Sequence, residues 1–339
     1  VDVDVDVDFN VTSLDNYFVS GTYISSFTPQ VTNFFKQSVP SEEYNSPFEK
    51  QFNSYDFKSI VNNYQVHLYK VSYDIVSVVT NNTIQVSGLL IMPEVDNAIP
   101  LLVFAPGTRL GDDAEVPSKG DQSELYTNLG AILSSSLGFA VFIPDYVGWG
   151  DSSDITHHYM NANEAVQVII NGVEAVFEYG SSLTGTVSAS LNNDVIISGY
   201  SQGGVAALLS TIYVERFANQ YPAINVIASL PMGGVPDLRK HIFQIYNDNA
   251  YSLSAFLPYI VMTNNDEYKF YTDVNDIMDS TDSDTIENCI LSGDYNLTEC
   301  NELIDSNDPL GIYEDDWLNE FLLNLYNGDI NNPLEAFVF

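Results

Sequence analysis

From residue 65 onward, apolar positions recur with two periods in turn. Gln65 to Val76 alternates apolar and polar side chains as a half-buried strand does, and Thr83 to Met92 forms a second such run closed by Pro93. Leu101 to Phe104 is short and wholly apolar and ends at Pro106-Gly107, and Phe139 to Ile143 repeats the pattern before Pro144-Asp145. Val195 to Ser198 reads as a further apolar strand and Val226 to Leu230 as a strand after it. Between them lie stretches with helical spacing. Leu125 to Leu137 has Leu125, Leu129, Ile132 and Leu133 on one side, Ala165 to Phe177 is amphipathic, and Gly203 to Phe217 is a third helix. Short apolar strands alternating with helices predict βαβ units and a mainly parallel central sheet flanked by helices.

The flanking regions read differently. Residues 1–60 lack a clear period and are expected to be an N-terminal extension packing on the core. Within it, Val1 to Asp8 alternates Val and Asp, strand-like in period but charged enough for an exposed edge or tail. The core is expected over 61–236. Residues 237–335 hold aromatic-rich helical stretches between Asp/Asn/Ser-rich turns and are expected to be an inserted helical cap. Residues 336–339 read as the start of a further core strand.

The informative stretch runs from Asn193 to Gly204: an apolar strand, then Gly199-Tyr200-Ser201-Gln202-Gly203, then a helix that opens on small residues. A serine on a sharp strand-to-helix turn takes strained backbone angles, and side chains two positions before and after it would strike the adjacent chain. Gly199 and Gly203 remove that collision. The helix start aims its N–H groups and dipole at charge developing on a substrate oxygen. Ser201 is therefore the candidate nucleophile of an α/β-hydrolase, with an ordinary glycine-rich turn as the alternative. Gln202 is a candidate backbone N–H donor. Thr108, in Phe104-Ala-Pro-Gly-Thr108, is the candidate second donor, with a plain strand-ending turn as the alternative.

Pro144-Asp-Tyr-Val-Gly-Trp-Gly-Asp-Ser152, His157-His-Tyr159, the helix carrying Glu164, Pro106-Gly-Thr108 and Gly199-Tyr-Ser-Gln-Gly-Gly204 together resemble the secretory lipase family over roughly residues 65 to 240. The resemblance implies a capped α/β-hydrolase that cleaves carboxylic esters through a Ser-Asp-His triad without a cofactor, and it assigns the nucleophile to Ser201. The family more often carries His where Ala105 or Pro106 stands. The alternatives are a carbohydrate esterase or peptidase of the same fold, or a catalytically silent hydrolase-fold binding protein.

A triad needs a base and a carboxylate to orient it, in the chain order serine, acid, histidine. Three of the four histidines, His67, His157 and His158, precede Ser201. His241 follows it but stands where the cap begins and reads as an ordinary cap or hinge residue. His157 and His158 read as structural or cleft-wall residues. The acid and base are expected beyond Phe339, which would leave the chain as given nearly inactive.

Composition narrows the rest. The 339 residues, 45% hydrophobic, can bury a large core. With 46 acidic against 10 basic residues, the net charge of -36 repels nucleic acid and anionic lipid and points to a solubilising surface. No run of eighteen apolar residues occurs, so no membrane span is expected. Cys289 and Cys300 read as a short-loop disulfide, with two reduced thiols as the alternative, and tilt the reading toward a secreted or periplasmic protein. Asn10, Asn81 and Asn296 begin glycosylation patterns. Acidic groups such as Gly111-Asp-Asp113, Asp151 to Asp154 and Asp279 to Asp284 lack the calcium-loop pattern and read as solvated loops. Neither a metal nor a cofactor is expected. The expected partner is a small-molecule or lipid ester. Cap aromatics including Tyr251, Phe256, Tyr259, Tyr268 and Tyr271 could line an acyl cleft or simply pack the cap.

Overall fold

The apolar runs pair into one sheet of order β1-β2-β3-β5-β4-β6-β7. The computed structural model describes residues 17–29, 62–110, 116–122, 124–183, 188–235, 237–248, 251–278, 283–304 and 308–327. The Val-Asp repeat, Asn10, Gly111 to Asp113, Asp279 to Asp282 and Ala336 to Phe339 lie outside them.

The strands are β1 (Phe18–Phe27), β2 (Val66–Val76), β3 (Thr83–Pro93), β4 (Ala98–Ala105), β5 (Ala140–Pro144), β6 (Ser190–Tyr200) and β7 (Asn225–Met232). β5, β4, β6 and β7 run parallel, whereas β1, β2 and β3 form an antiparallel meander joined antiparallel to β5. The sheet is thus mixed rather than mainly parallel. β2 and β3 are largely buried on both faces, as parallel strands are, without being parallel and despite their alternating sequences. β1 has no counterpart in the periodicity reading. It is an edge strand with two register shifts, which break the alternation a strand otherwise displays.

Helices α1 (Glu124–Leu137), α2 (Ala162–Ser182) and α3 (Gln202–Arg216) pack on the sheet. The buried face of α1 matches the predicted one in part: Ile132 is buried and Leu129 and Leu133 are half-buried. Leu125 is 58% exposed, while Thr127, Gly130, Ala131 and Ser134 are buried. A Cβ at Gly130 would come within 2.5 Å of Ile91 Cδ1, so at that position the helix lies too close to β3 for any side chain. Small and hydroxyl residues share the inner face with Tyr126 and Ile132.

One apolar cluster joins β2 to β6 with α2 and α3. A second is built almost entirely from residues after Val235, on helices α4 (Leu238–Asp248), α5 (Phe256–Thr263), α6 (Ser283–Leu291), α7 (Leu297–Glu302) and α8 (Asp315–Asn327). Leu110 and Tyr159 extend into it from the sheet side. Cys289 and Cys300 form a disulfide linking α6 to α7.

Candidate active site

β6 ends at Tyr200 and α3 begins at Gln202, so the chain reverses at the single residue Ser201. Its backbone sits at φ 56°, ψ -116°, in the left-handed half of conformational space that a side chain disfavours. The surroundings hold it there. Ser201 N donates to Met232 O at 2.8 Å, and Gly204 N donates back to Ser201 O at 2.9 Å. A Cβ at Gly199 would lie 2.1 Å from Gly203 O, and one at Gly203 would lie 1.9 Å from Ala105 O. Both glycines are therefore steric requirements of this turn.

The pairing of β4 with β6 sets Ala105 opposite Gly199 and so carries the following loop past the serine. A Cβ at Gly107 would stand 3.8 Å from Ser201 Cβ. Thr108 comes next in that loop. The first N–H groups of α3, those of Gln202 and Gly203, have no acceptor within the helix. The elbow and the Thr108 loop thus flank one place where a reacting oxygen could be received.

Three tyrosine hydroxyls hold the loop. Tyr146 donates to Pro106 O at 3.0 Å, Tyr159 pairs with Thr108 Oγ1 at 3.0 Å, and Tyr259 donates to Arg109 O at 2.8 Å. Tyr159 and Tyr259 stack with centroids 4.4 Å apart. None of these three contacts was predicted from the sequence.

Beside Ser201 opens an apolar cleft. Its helical wall is Leu238, His241, Ile242 and Ile245, spaced i, i+3, i+4, i+7 on one face of α4. Tyr251, Phe256, Leu257 and Ile260 continue it. Of the aromatics singled out earlier, Tyr251 and Phe256 line the cleft, Tyr259 and Tyr271 pack in the second cluster, and the Tyr268 side chain lies outside the described residues.

The four histidines divide by environment. His67 faces Glu94 at 3.7 Å. His158 is buried and bonded through Nδ1 to Glu164 Oε2 at 2.8 Å. Burial pushes its pKa down, but the charge and hydrogen bond of Glu164 outweigh that and hold it above the usual value. His157 is buried with Nδ1 on Val147 O at 2.8 Å and Nε2 3.0 Å from Gln202 Nε2, and burial drives its pKa down to about 4. His241 is bonded to Tyr251 OH at 3.1 Å and depressed by partial burial. Although it read as an ordinary hinge residue, it lines the same cleft as Ser201. Among the described residues none of the four bonds the Ser201 hydroxyl.

Asp145, just after β5, is fully buried. It accepts from Ser87 Oγ at 2.5 Å and Ser118 N at 3.0 Å. Burial outweighs these donors and lifts its pKa to about 6. Gly150, at φ 55°, makes room for it, since a Cβ there would stand 2.2 Å from Asp145 Oδ2.

A mixed sheet with parallel strands at its C-terminal side, a serine on a strained strand-to-helix turn and helices beyond it define an α/β-hydrolase. A family model for secretory lipases matches residues 122–292, just over half of the chain. The chain belongs to the secretory lipase family and is a carboxylic-ester hydrolase. The family is one of secreted enzymes, and among the described residues no helix is long and apolar enough to cross a membrane.

Solved structures agree on the fold. A Legionella pneumophila protein assigned as a hydrolase aligns with TM-score 0.74 at 19% identity, over 93% of this chain and 79% of that one. The rice cell wall degrading esterase LipA of Xanthomonas oryzae, in a ligand-bound form, gives 0.71 at 19%, over 94% and 76%. Candida antarctica lipase A in its closed state gives 0.55 at 15%, over 95% and 66%. No curated protein matches by sequence. Peptidase and silent-binding readings find no support among these relatives.

Proposed function

We propose that Ser201 is the nucleophile, attacking the carbonyl carbon of an ester with an apolar acyl chain. The alcohol leaves with its oxygen, an acyl-Ser201 ester remains, and water hydrolyses it. The backbone N–H groups of Gln202 and Thr108 receive the negative charge on the carbonyl oxygen, assisted by the N-terminus of α3. Gly199, Tyr200 and Gly203 form the nucleophile elbow. The observation that carries this reading is the Ser201 backbone at φ 56°, a strained conformation fixed by glycines on both sides.

The apolar lining of the cleft supports an acyl chain as the group held beside Ser201. Residues 237–335 act in this reading as a cap on a core spanning 61–236, with 1–60 as an extension. The separate apolar cluster of α4 to α8 supports that division. The enzyme works outside the cell or in the periplasm, and the Cys289–Cys300 disulfide supports an oxidising compartment.

The test is rapid mixing of the full-length protein with a p-nitrophenyl ester. A stoichiometric burst of nitrophenol, absent in Ser201→Ala, is expected. A burst that survives Ser201→Ala would remove Ser201 from this role.

A further inference from the structure

The ring of His157 bonds the side chain of Gln202 and packs on the tyrosines that hold the Thr108 loop, with no bond to Ser201. Its Nδ1 lies 2.8 Å from Val147 O, which can only accept, so Nδ1 carries the proton and Nε2 presents a lone pair. The amide of Gln202, 3.0 Å away, must then turn its NH2 toward the ring. The opposite amide orientation would set two lone pairs against each other. Gln202 Oε1 is left buried with no partner among the described residues, so the side chain holds this pose on the strength of the His157 bond. Gln202 is also the first residue of α3, and its backbone N–H is one proposed donor.

The same ring packs on the tyrosines that pin the other donor loop. Its centroid is 5.6 Å from Tyr146, 6.2 Å from Tyr159 and 6.1 Å from Tyr259. Those hydroxyls bond Pro106 O, Thr108 Oγ1 and Arg109 O respectively. One side chain therefore connects the start of α3 with the Pro106 to Arg109 loop.

We propose that His157 is a positioning residue that fixes the spacing between the two oxyanion donors, Gln202 N–H and Thr108 N–H. It takes no part in proton transfer. Its ring sets the Gln202 amide on one side and braces the tyrosine-held loop on the other. Because the donors act on charge that appears only in the transition state, loosening them lowers kcat and leaves substrate binding in place.

This inference rests on the Ser201 reading, and the experiment separates the two. Steady-state kinetics with a p-nitrophenyl ester and a thermal melt are measured for His157→Phe, His157→Asn, His157→Gln, Gln202→Met and Ser201→Ala. His157→Phe and Gln202→Met should each lower kcat about 10- to 100-fold with KM within about twofold, in the range set by misplaced oxyanion donors. His157→Gln offers a carbonyl oxygen near the position of Nε2 and should recover most of kcat. His157→Asn mimics only the Nδ1 side and should not. The proposal is overturned if folded His157→Phe or Gln202→Met keeps kcat, or if Gln and Asn lower activity equally in step with the melting temperature. If His157→Phe does not fold, Gln202→Met removes the same bond from the other end. Activity remaining in Ser201→Ala would instead overturn the nucleophile assignment.

Discussion

Replacing His157 by glutamine removes a titratable ring that the folded chain keeps neutral, and this should change how stability depends on acid. In the unfolded chain the ring titrates near its ordinary value of 6.5, whereas burial among Tyr146, Tyr159 and Tyr259 holds it at about 4 when folded. Between those values the unfolded state binds a proton that the folded state refuses, so stability falls as pH falls. The slope is about 1.4 kcal/mol per pH unit for one proton, and the gap amounts to about 3 kcal/mol in total. The loss begins near pH 6.5 and ends once the folded ring protonates near 4. Asp145, raised to about 6, contributes in the same window with the opposite sign, while His158, raised by Glu164, changes its contribution only above pH 6.5. Both are present in wild type and variant, so they cancel in the difference. Urea unfolding of both proteins at intervals from pH 7 to pH 4 measures it. The wild type should lose about 3 kcal/mol more than His157→Gln across that range. A difference that stays constant with pH would refute the neutral, buried imidazole.

Gly203→Ala should prevent folding or cost several kcal/mol, because its Cβ would lie 1.9 Å from Ala105 O. Gly293→Ala, at φ 79° with nothing within 4 Å, should cost about 1 kcal/mol, and paired chemical denaturation compares them. Breaking the disulfide by Cys289→Ser with Cys300→Ser opens a loop with a sequence separation of 11 and should cost about 3 kcal/mol, read from unfolding of the oxidised protein against the double variant. Across a series of p-nitrophenyl esters, kcat/KM should rise about fourfold per methylene until the cleft is filled. Ile242→Trp, on the cleft wall, should move that limit to shorter chains, and an unchanged profile would place the acyl chain elsewhere.

Legibility in the sequence followed how local each feature is. β2 to β6 and α1 to α3 announced themselves through runs a few residues long, because strand and helix periods are set by neighbours in the chain. The elbow was equally legible, since its strand, its glycines and its helix start all lie between Ser190 and Gly204. Direction was not. The alternation in β2 and β3 predicted one buried face, whereas both faces are largely buried, and that depth of burial does not report whether a neighbouring strand runs parallel or antiparallel.

The inner face of α1 was read only in part, with Leu125 misplaced and Gly130 and Ser134 missed. Hydrophobic patterning assumes that depth is filled by large side chains, and here Gly130 against Ile91 brings the backbone itself into contact distance. Long-range side-chain bonds are harder still. Tyr259 reaches Arg109 O across 150 residues and Tyr146 reaches Pro106 O across 40, so no spacing rule connects them. His157 shows the limit most clearly. A histidine 44 positions before the serine does not fit the chain order of a triad, which argued against a base. The same order gave no hint that its ring would bond the residue next to Ser201. A catalytic serine can be read from its own turn, but the groups that hold its oxyanion donors in place are specified by packing between distant segments, and only the folded chain brings those segments together.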